Sequence, residues 1–140
     1  FFNYELMKKI NGGTQMRDVW RLPAIARWEK SCGKHPTQKP LSVLSRIIQA
    51  STLPGAWILD PFTGSSTTGI AANLLGRRFL GIDINEEFLE LGKARREEIN
   101  SIATRRIYLD KLQLQSPLSE EHELDFLNEP CIGYELDLPF

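Results

Sequence analysis

Two carboxylates frame the part of this sequence that can do chemistry. Asp60 closes the uncharged run Ala56-Trp57-Ile58-Leu59, and Asp83, 23 positions further on, closes Phe79-Leu80-Gly81-Ile82. Between them lies Gly64-Ser65-Ser66-Thr67-Thr68-Gly69, a turn of glycine and hydroxyl residues. It is not Gly-x-Gly-x-x-Gly, because position 66 is Ser, and it is not a Walker loop, because no Lys precedes the Ser/Thr pair. A nucleoside triphosphate is therefore a poor ligand for it. A dinucleotide keeps some support, since an acid after the second strand can accept from two ribose hydroxyls, but its pyrophosphate needs a closer glycine-lined helix start. An adenosine cofactor without phosphates fits better. Asp83 would then hold the ribose, while Asp60 would either receive a positively charged amino group or organise the turn.

A second chemical stretch is Gly33 to Pro40, GKHPTQKP. Two prolines stiffen Thr37-Gln38-Lys39, whose hydroxyl, amide and ammonium form a polar pocket edge suited to a ligand carboxylate. His35 has no Cys, Asp or second His beside it in the sequence and reads as structural. Cys32 and Cys131 stand far apart, without a Cys-x-x-Cys pair, so free thiols and no metal site are expected.

The elements that position these groups follow from local pattern. Pro61 cannot donate to a sheet ladder, so a buried strand over Trp57 to Leu59 ends at Asp60. Gly64 permits a tight turn, and Ser65 to Thr68 can cap the helix that Ile70-Ala71-Ala72-Asn73-Leu74-Leu75 continues. Gly76 stops that helix, Arg77-Arg78 place positive charge near its negative end, and a second buried strand runs to Asp83. The unit is βαβ, expected parallel and right-handed, with ligands beyond the carboxyl ends of its strands. Leu41, Leu44, Ile47 and Ile48 predict one buried face of a helix opened by Pro40 and running to about Ala50. Asn85, Glu86 and Glu87 open another helix, whose Lys93, Arg95 and Arg96 are expected in solvent. Residues 1–13 predict a short helical piece ending at Gly12-Gly13. Asp18 to Pro23 reads as a strand-like piece, with Trp20 and Trp28 in the core or lining a cleft.

The net charge of -1 over 140 residues hides a division. Residues 1–100 carry 14 Lys and Arg against 10 Asp and Glu, whereas residues 101–140 carry 3 against 8. A mildly basic first part permits a nucleic-acid partner without proving one. No apolar run is long enough to cross a membrane, and no signal peptide opens the chain. The start at Phe1 suggests a chain that begins inside a longer protein.

LDPFTGSSTTGIAANLLGRRFLGIDINEEFLELGKARREEI, preceded by GKHPTQKP, closely resembles the amino-group DNA methyltransferases of bacterial restriction-modification systems, in the class whose catalytic region precedes the cofactor-binding region. The likeness covers about residues 14–100. It implies an α/β fold, the Rossmann-like S-adenosylmethionine-dependent methyltransferase fold, present in part. Residues 1–100 would be the cofactor-binding part of the domain, and residues 101–140 a peripheral helix with an acidic extension. S-adenosylmethionine would be the methyl donor, double-stranded DNA the partner, adenine N6 the preferred acceptor over cytosine N4, and the bacterial cytoplasm the location. Carried onto this chain, Asp60, Phe62, Gly64 and Ser65 would shape the methionine side of the pocket. Asp83 would bind the ribose, and Thr37, Gln38 and Lys39 would close over the methionine carboxylate. Asp18 to Pro23, with Trp20, resembles the segment that leads into that pocket.

Two departures from the family pattern matter. Ser66 stands where members usually have Gly, which would crowd a close backbone approach. The catalytic tetrapeptide, a polar residue followed by Pro-Pro and an aromatic, is absent from all 140 residues. The resemblance thus implies a cofactor half, with no catalytic residue of its own, completed by an N-terminal part of the same protein. The alternative is a non-catalytic DNA-binding or assembly module with a degenerate methyltransferase fold.

Overall fold

In the computed structural model, which describes residues 1–114, strands β1 (Trp57–Asp60) and β2 (Arg78–Gly81) pair in parallel, with Ile58 opposite Phe79 and Asp60 opposite Gly81. The crossover is helix α3 (Thr67–Leu74), so the expected βαβ unit is present. Around it lie α1 (Tyr4–Ile10), α2 (Leu41–Ser51), α4 (Glu86–Glu98), α5 (Ile102–Leu112) and a short 3-10 turn, Arg27–Lys30. The acidic extension expected at the end of the chain falls on residues outside those described.

Helix α3 is central because it is apolar nearly all round. Ile70, Ala71, Ala72 and Leu74 are buried, and the helix touches α2, α4, α5 and both strands. Leu41 and Ile48 of α2 join the same core with Ile99, Tyr108 and Leu109, and each buried aliphatic side chain contributes about 1.5–3 kcal/mol. Ile47, expected on the buried face of α2, is instead exposed.

Helix α3 ends as its sequence predicts. Gly76 takes a φ of 68°, its amide donates to the Asn73 carbonyl at 3.1 Å, and the Arg77 amide donates to the Ala72 carbonyl at 2.8 Å. This pair of bonds is a Schellman stop. The Arg77 guanidinium donates to the Leu75 carbonyl at 2.5 Å and to the Thr52 carbonyl at 2.6 Å, placing charge at the helix end and tying it to the close of α2. Burial lowers the Arg77 guanidinium from its ordinary pKa.

Four further expectations are corrected. Among the described residues the strands are covered on one face only: Ile58 and Phe79 pack on the core, while Trp57 and Leu59, alternating with them, are 58% and 61% exposed. Residue 66, the N-cap of α3, is left-handed, and no side chain there makes a capping hydrogen bond. Asp18 to Pro23 forms no strand and runs as irregular chain without ladder bonds. Arg95 is buried rather than solvated, because α4 lies over the turn that follows β1.

Candidate functional site

The parallel ladder brings both carboxylates to one end of the sheet and fastens each to the same turn. Asp60 Oδ1 accepts the Phe62 amide at 3.1 Å and Oδ2 accepts the Thr68 hydroxyl at 2.6 Å. Of the two roles left open for Asp60, organising the turn is thus realised. Asp83 Oδ2 accepts the Gly64 amide at 2.7 Å and Oδ1 the Asn85 amide at 2.9 Å. The Thr63 amide continues the attachment by donating to the Ile82 carbonyl at 2.9 Å. A carboxylate offers about four lone-pair sites, so each Asp retains acceptor capacity for a ligand.

Gly64 has two reasons to be glycine. Its φ is 50°, and a Cβ there would come within 3.0 Å of His35 Nε2. His35 packs on Phe88 of α4, with ring centroids 4.1 Å apart, and its Nδ1 accepts the Thr37 amide at 3.2 Å. His35 is therefore the structural link from GKHPTQKP to the turn.

The other residues of that stretch bond nearer home. Gln38 donates from Nε2 to the Glu29 carbonyl at 2.8 Å, and its Oε1 is buried without a partner among the described residues. Lys39 is exposed and donates to the Thr37 carbonyl at 2.6 Å. Among the described residues, no hydrogen bond joins Thr37, Gln38 or Lys39 to the turn. Phe62 projects from it, 87% exposed. Ser65 is buried, its hydroxyl 3.3 Å from that of Thr67.

Ser66 occupies φ 56° and ψ 33°, a conformation that favours glycine. Its side chain is received by two glycines: a Cβ on Gly69 would lie 2.6 Å from Ser66 Oγ, and one on Gly92 2.9 Å from Ser66 Cβ. The hydroxymethyl group thus enters the contact between α3 and α4.

Two supports escape a reading of pattern. Arg95 Nη1 donates to the Ser65 carbonyl at 2.5 Å and to the Thr67 hydroxyl at 3.1 Å, clamping the turn from behind. Its pKa is lowered by burial, against which Tyr108, Glu29, Cys32 and Glu98 act. Buried Glu29 accepts the Leu41 amide at 2.7 Å and the Ala26 amide at 3.1 Å, capping α2. One signal was available: Glu29 stands three positions after Ala26, as in a capping box, although Ala26 lacks the hydroxyl.

At the C-terminal end of α4, Glu98 Oε2 accepts from the Ser31 hydroxyl at 2.8 Å, the Tyr108 hydroxyl at 2.9 Å and the exposed Cys32 thiol at 3.3 Å. Burial, then the Glu98 hydrogen bond, raises the thiol pKa. Among the described residues there is no group of three His, Cys, Asp or Glu that could hold a metal ion.

Known proteins resemble this chain over most of its described residues. The family described as DNA methylase, designated N6 N4 Mtase, matches residues 3–94. The type II methyltransferase M2.MboI of Moraxella bovis is 60% identical over 102 residues, which are 73% of this chain and 37% of that protein. M2.DpnII of Streptococcus pneumoniae is 54% identical over 100 residues, 71% of this chain and 37% of its own length. This chain thus spans little more than a third of those relatives. Among solved structures, the M1.HpyAVI–SAM complex superposes with a TM-score of 0.51 at 39% identity, covering 59% of this chain and 41% of that one.

Proposed function

Because the chain belongs to the DNA methylase family, we propose that it supplies the S-adenosylmethionine site of an enzyme that methylates an exocyclic amine of DNA. Its α/β fold is part of the Rossmann-like methyltransferase fold. The observation that carries the reading is the attachment of Asp60 and Asp83 to one turn beyond the parallel strand ends. Two carboxylates there oppose a pyrophosphate and favour a cationic ligand that carries ribose hydroxyls.

These residues fit S-adenosylmethionine. Asp83 would accept from the ribose hydroxyls with the lone pairs left after its two backbone bonds. Asp60, Phe62, Gly64 and Ser65 would shape the methionine side, Phe62 through its exposed ring and Ser65 through backbone, since its hydroxyl faces Thr67. Thr37, Gln38 and Lys39 would close over the carboxylate, with Lys39 leaving its Thr37 carbonyl to do so. When bound, the donor supplies a methyl group already activated by sulfonium charge, so the protein's part is positioning and exclusion of water. This chain contains no Pro-Pro pair, and its role in the reaction is to hold the donor. The partner is double-stranded DNA, the preferred acceptor adenine N6, and the location the bacterial cytoplasm. No described helix is long and apolar enough to span a membrane.

Calorimetry tests the cofactor assignment: S-adenosylmethionine should bind this chain and NAD should not. Failure of S-adenosylmethionine to bind would favour a non-catalytic module. Mass spectrometry of nucleosides from DNA treated with the full-length protein tests the acceptor. N6-methyladenine is expected, and N4-methylcytosine in its place would overturn that choice.

A further inference from the structure

A basic groove is lined by residues other than those assigned to the donor, and its Val19, Trp20 and Arg21 belong to the segment that resembles the approach to the cofactor pocket. It has a volume of about 510 Å³, within the range of pockets that take nucleotide-sized groups. Arg17, Arg21 and Arg46 line it, and no Asp or Glu does. None of the three guanidiniums pairs with a carboxylate among the described residues. Three like charges around one cavity repel each other, and a polyanion relieves that repulsion.

The walls are built rather than incidental. The Asn11 side-chain amide donates to the Thr14 carbonyl at 3.2 Å and the Gln15 carbonyl at 3.1 Å, locking the loop after α1. Trp20 Nε1 donates to the Arg17 carbonyl at 2.7 Å, closing the next turn. The Arg46 guanidinium, reaching from α2, lies 5.2 Å from the Trp20 ring centroid. One indole thus fixes the backbone that carries Arg17 and the head group of Arg46. This ordering lowers the entropy lost when the guanidiniums engage a ligand.

We propose that this groove binds the phosphodiester backbone of the DNA substrate, with Arg17, Arg21 and Arg46 as its phosphate ligands and Trp20 as their positioning residue. The assignment rests on the DNA reading above and places a strand contact on residues other than those assigned to the donor. Guanidinium forks match phosphate geometry, and such pairings add affinity and register without reading sequence.

The test measures binding of a fluorescent DNA duplex to the 140-residue chain across a salt series, by anisotropy, with S-adenosylmethionine calorimetry on the same preparations. The triple variant Arg17→Gln/Arg21→Gln/Arg46→Gln should bind DNA at least tenfold more weakly. Its slope of log affinity against log salt should fall by roughly 2–3, at about 0.9 for each phosphate no longer neutralised. S-adenosylmethionine should still bind the variant, which separates lost charge from a lost fold. The triple Lys variant keeps the charges, guards against a folding artefact and should retain most of the slope. An unaltered slope in the Gln variant, equal loss in the Gln and Lys variants, or no duplex binding by the unmodified chain would each overturn the groove. If the unmodified chain failed to bind S-adenosylmethionine, the cofactor reading would fall instead.

Discussion

The Asp83 carboxylate accepts the Gly64 amide at 2.7 Å, a bond spanning 19 residues that helps hold the end of β2 against the turn that follows β1. The proposed ribose ligand is therefore also a structural fastener. Its other oxygen accepts the Asn85 amide, which sets the start of α4.

Asp83→Asn keeps the shape but loses one of the two bonds and weakens the other. A loss of about 1–2 kcal/mol in urea unfolding is expected, since hydrogen bonds to charged groups contribute roughly 1.5–3 kcal/mol and Asn can still accept one of them. S-adenosylmethionine affinity should fall at least about tenfold, or 1.4 kcal/mol. Unchanged affinity in a variant that melts lower would assign Asp83 to the fold alone.

Ser66 and Gly92 are predicted to couple. Gly92→Ala places a Cβ 2.9 Å from Ser66 Cβ and should cost about 1–3 kcal/mol. In a Ser66→Gly background most of that cost should vanish. Ser66→Gly alone should change stability by less than about 1 kcal/mol, because relief of the left-handed conformation is offset by glycine's greater entropy loss. Urea titration of the four proteins gives the coupling directly, and strict additivity would sink the idea.

Arg95→Met removes the clamp behind the turn. It leaves the Ser65 carbonyl without its donor, and a loss of about 2–4 kcal/mol is expected. A change below about 0.5 kcal/mol would show that the turn stands without α4.

Tyr108 should make stability fall in alkali. Burial first, and the Glu98 hydrogen bond and charge with it, push its pKa up to about 12 from the ordinary 10.0. The folded state thus holds this proton more tightly than the unfolded chain does. The contribution is fully present below pH 10 and is lost as pH rises toward 12. With solvent screening it amounts to about 1–2 kcal/mol. Chemical denaturation of the unmodified chain and Tyr108→Phe between pH 9 and pH 12 checks this. The two curves should converge as pH rises, and parallel curves would exclude Tyr108 as the source.

Much of the βαβ unit could be read from residue order because its signals are local. Pro61 ends β1, Gly76 ends α3, and a single crossover of this length must pack back on its own sheet. The buried charges could not be read that way. Arg95 and Arg105 look like surface residues in a one-dimensional pattern, yet each donates to backbone carbonyls about thirty residues away, and of the two bonds to Glu29 only the one from Ala26 leaves a local trace. Arg105 is fully buried, donating from Nη2 to the Asn73 carbonyl at 2.6 Å, and α5 joins the core through it, Tyr108 and Leu109. In the candidate site, the strand-end carboxylates were visible from Asp60 and Asp83 themselves. The inward turn of Ser65 and the link through His35 depended on how α4 lies across the turn.

The half-covered sheet bears on how this chain behaves at the bench. Trp57 and Leu59 on the open face, with Phe62 and Ile84 at its carboxyl end, form a row of solvent-exposed apolar side chains on a sheet with two free edges among the described residues. Both features promote strand-to-strand sticking. Purified alone, the chain should show light scattering that grows with protein concentration, and Leu59→Lys should raise its solubility while leaving the half-buried Ile58–Phe79 face intact.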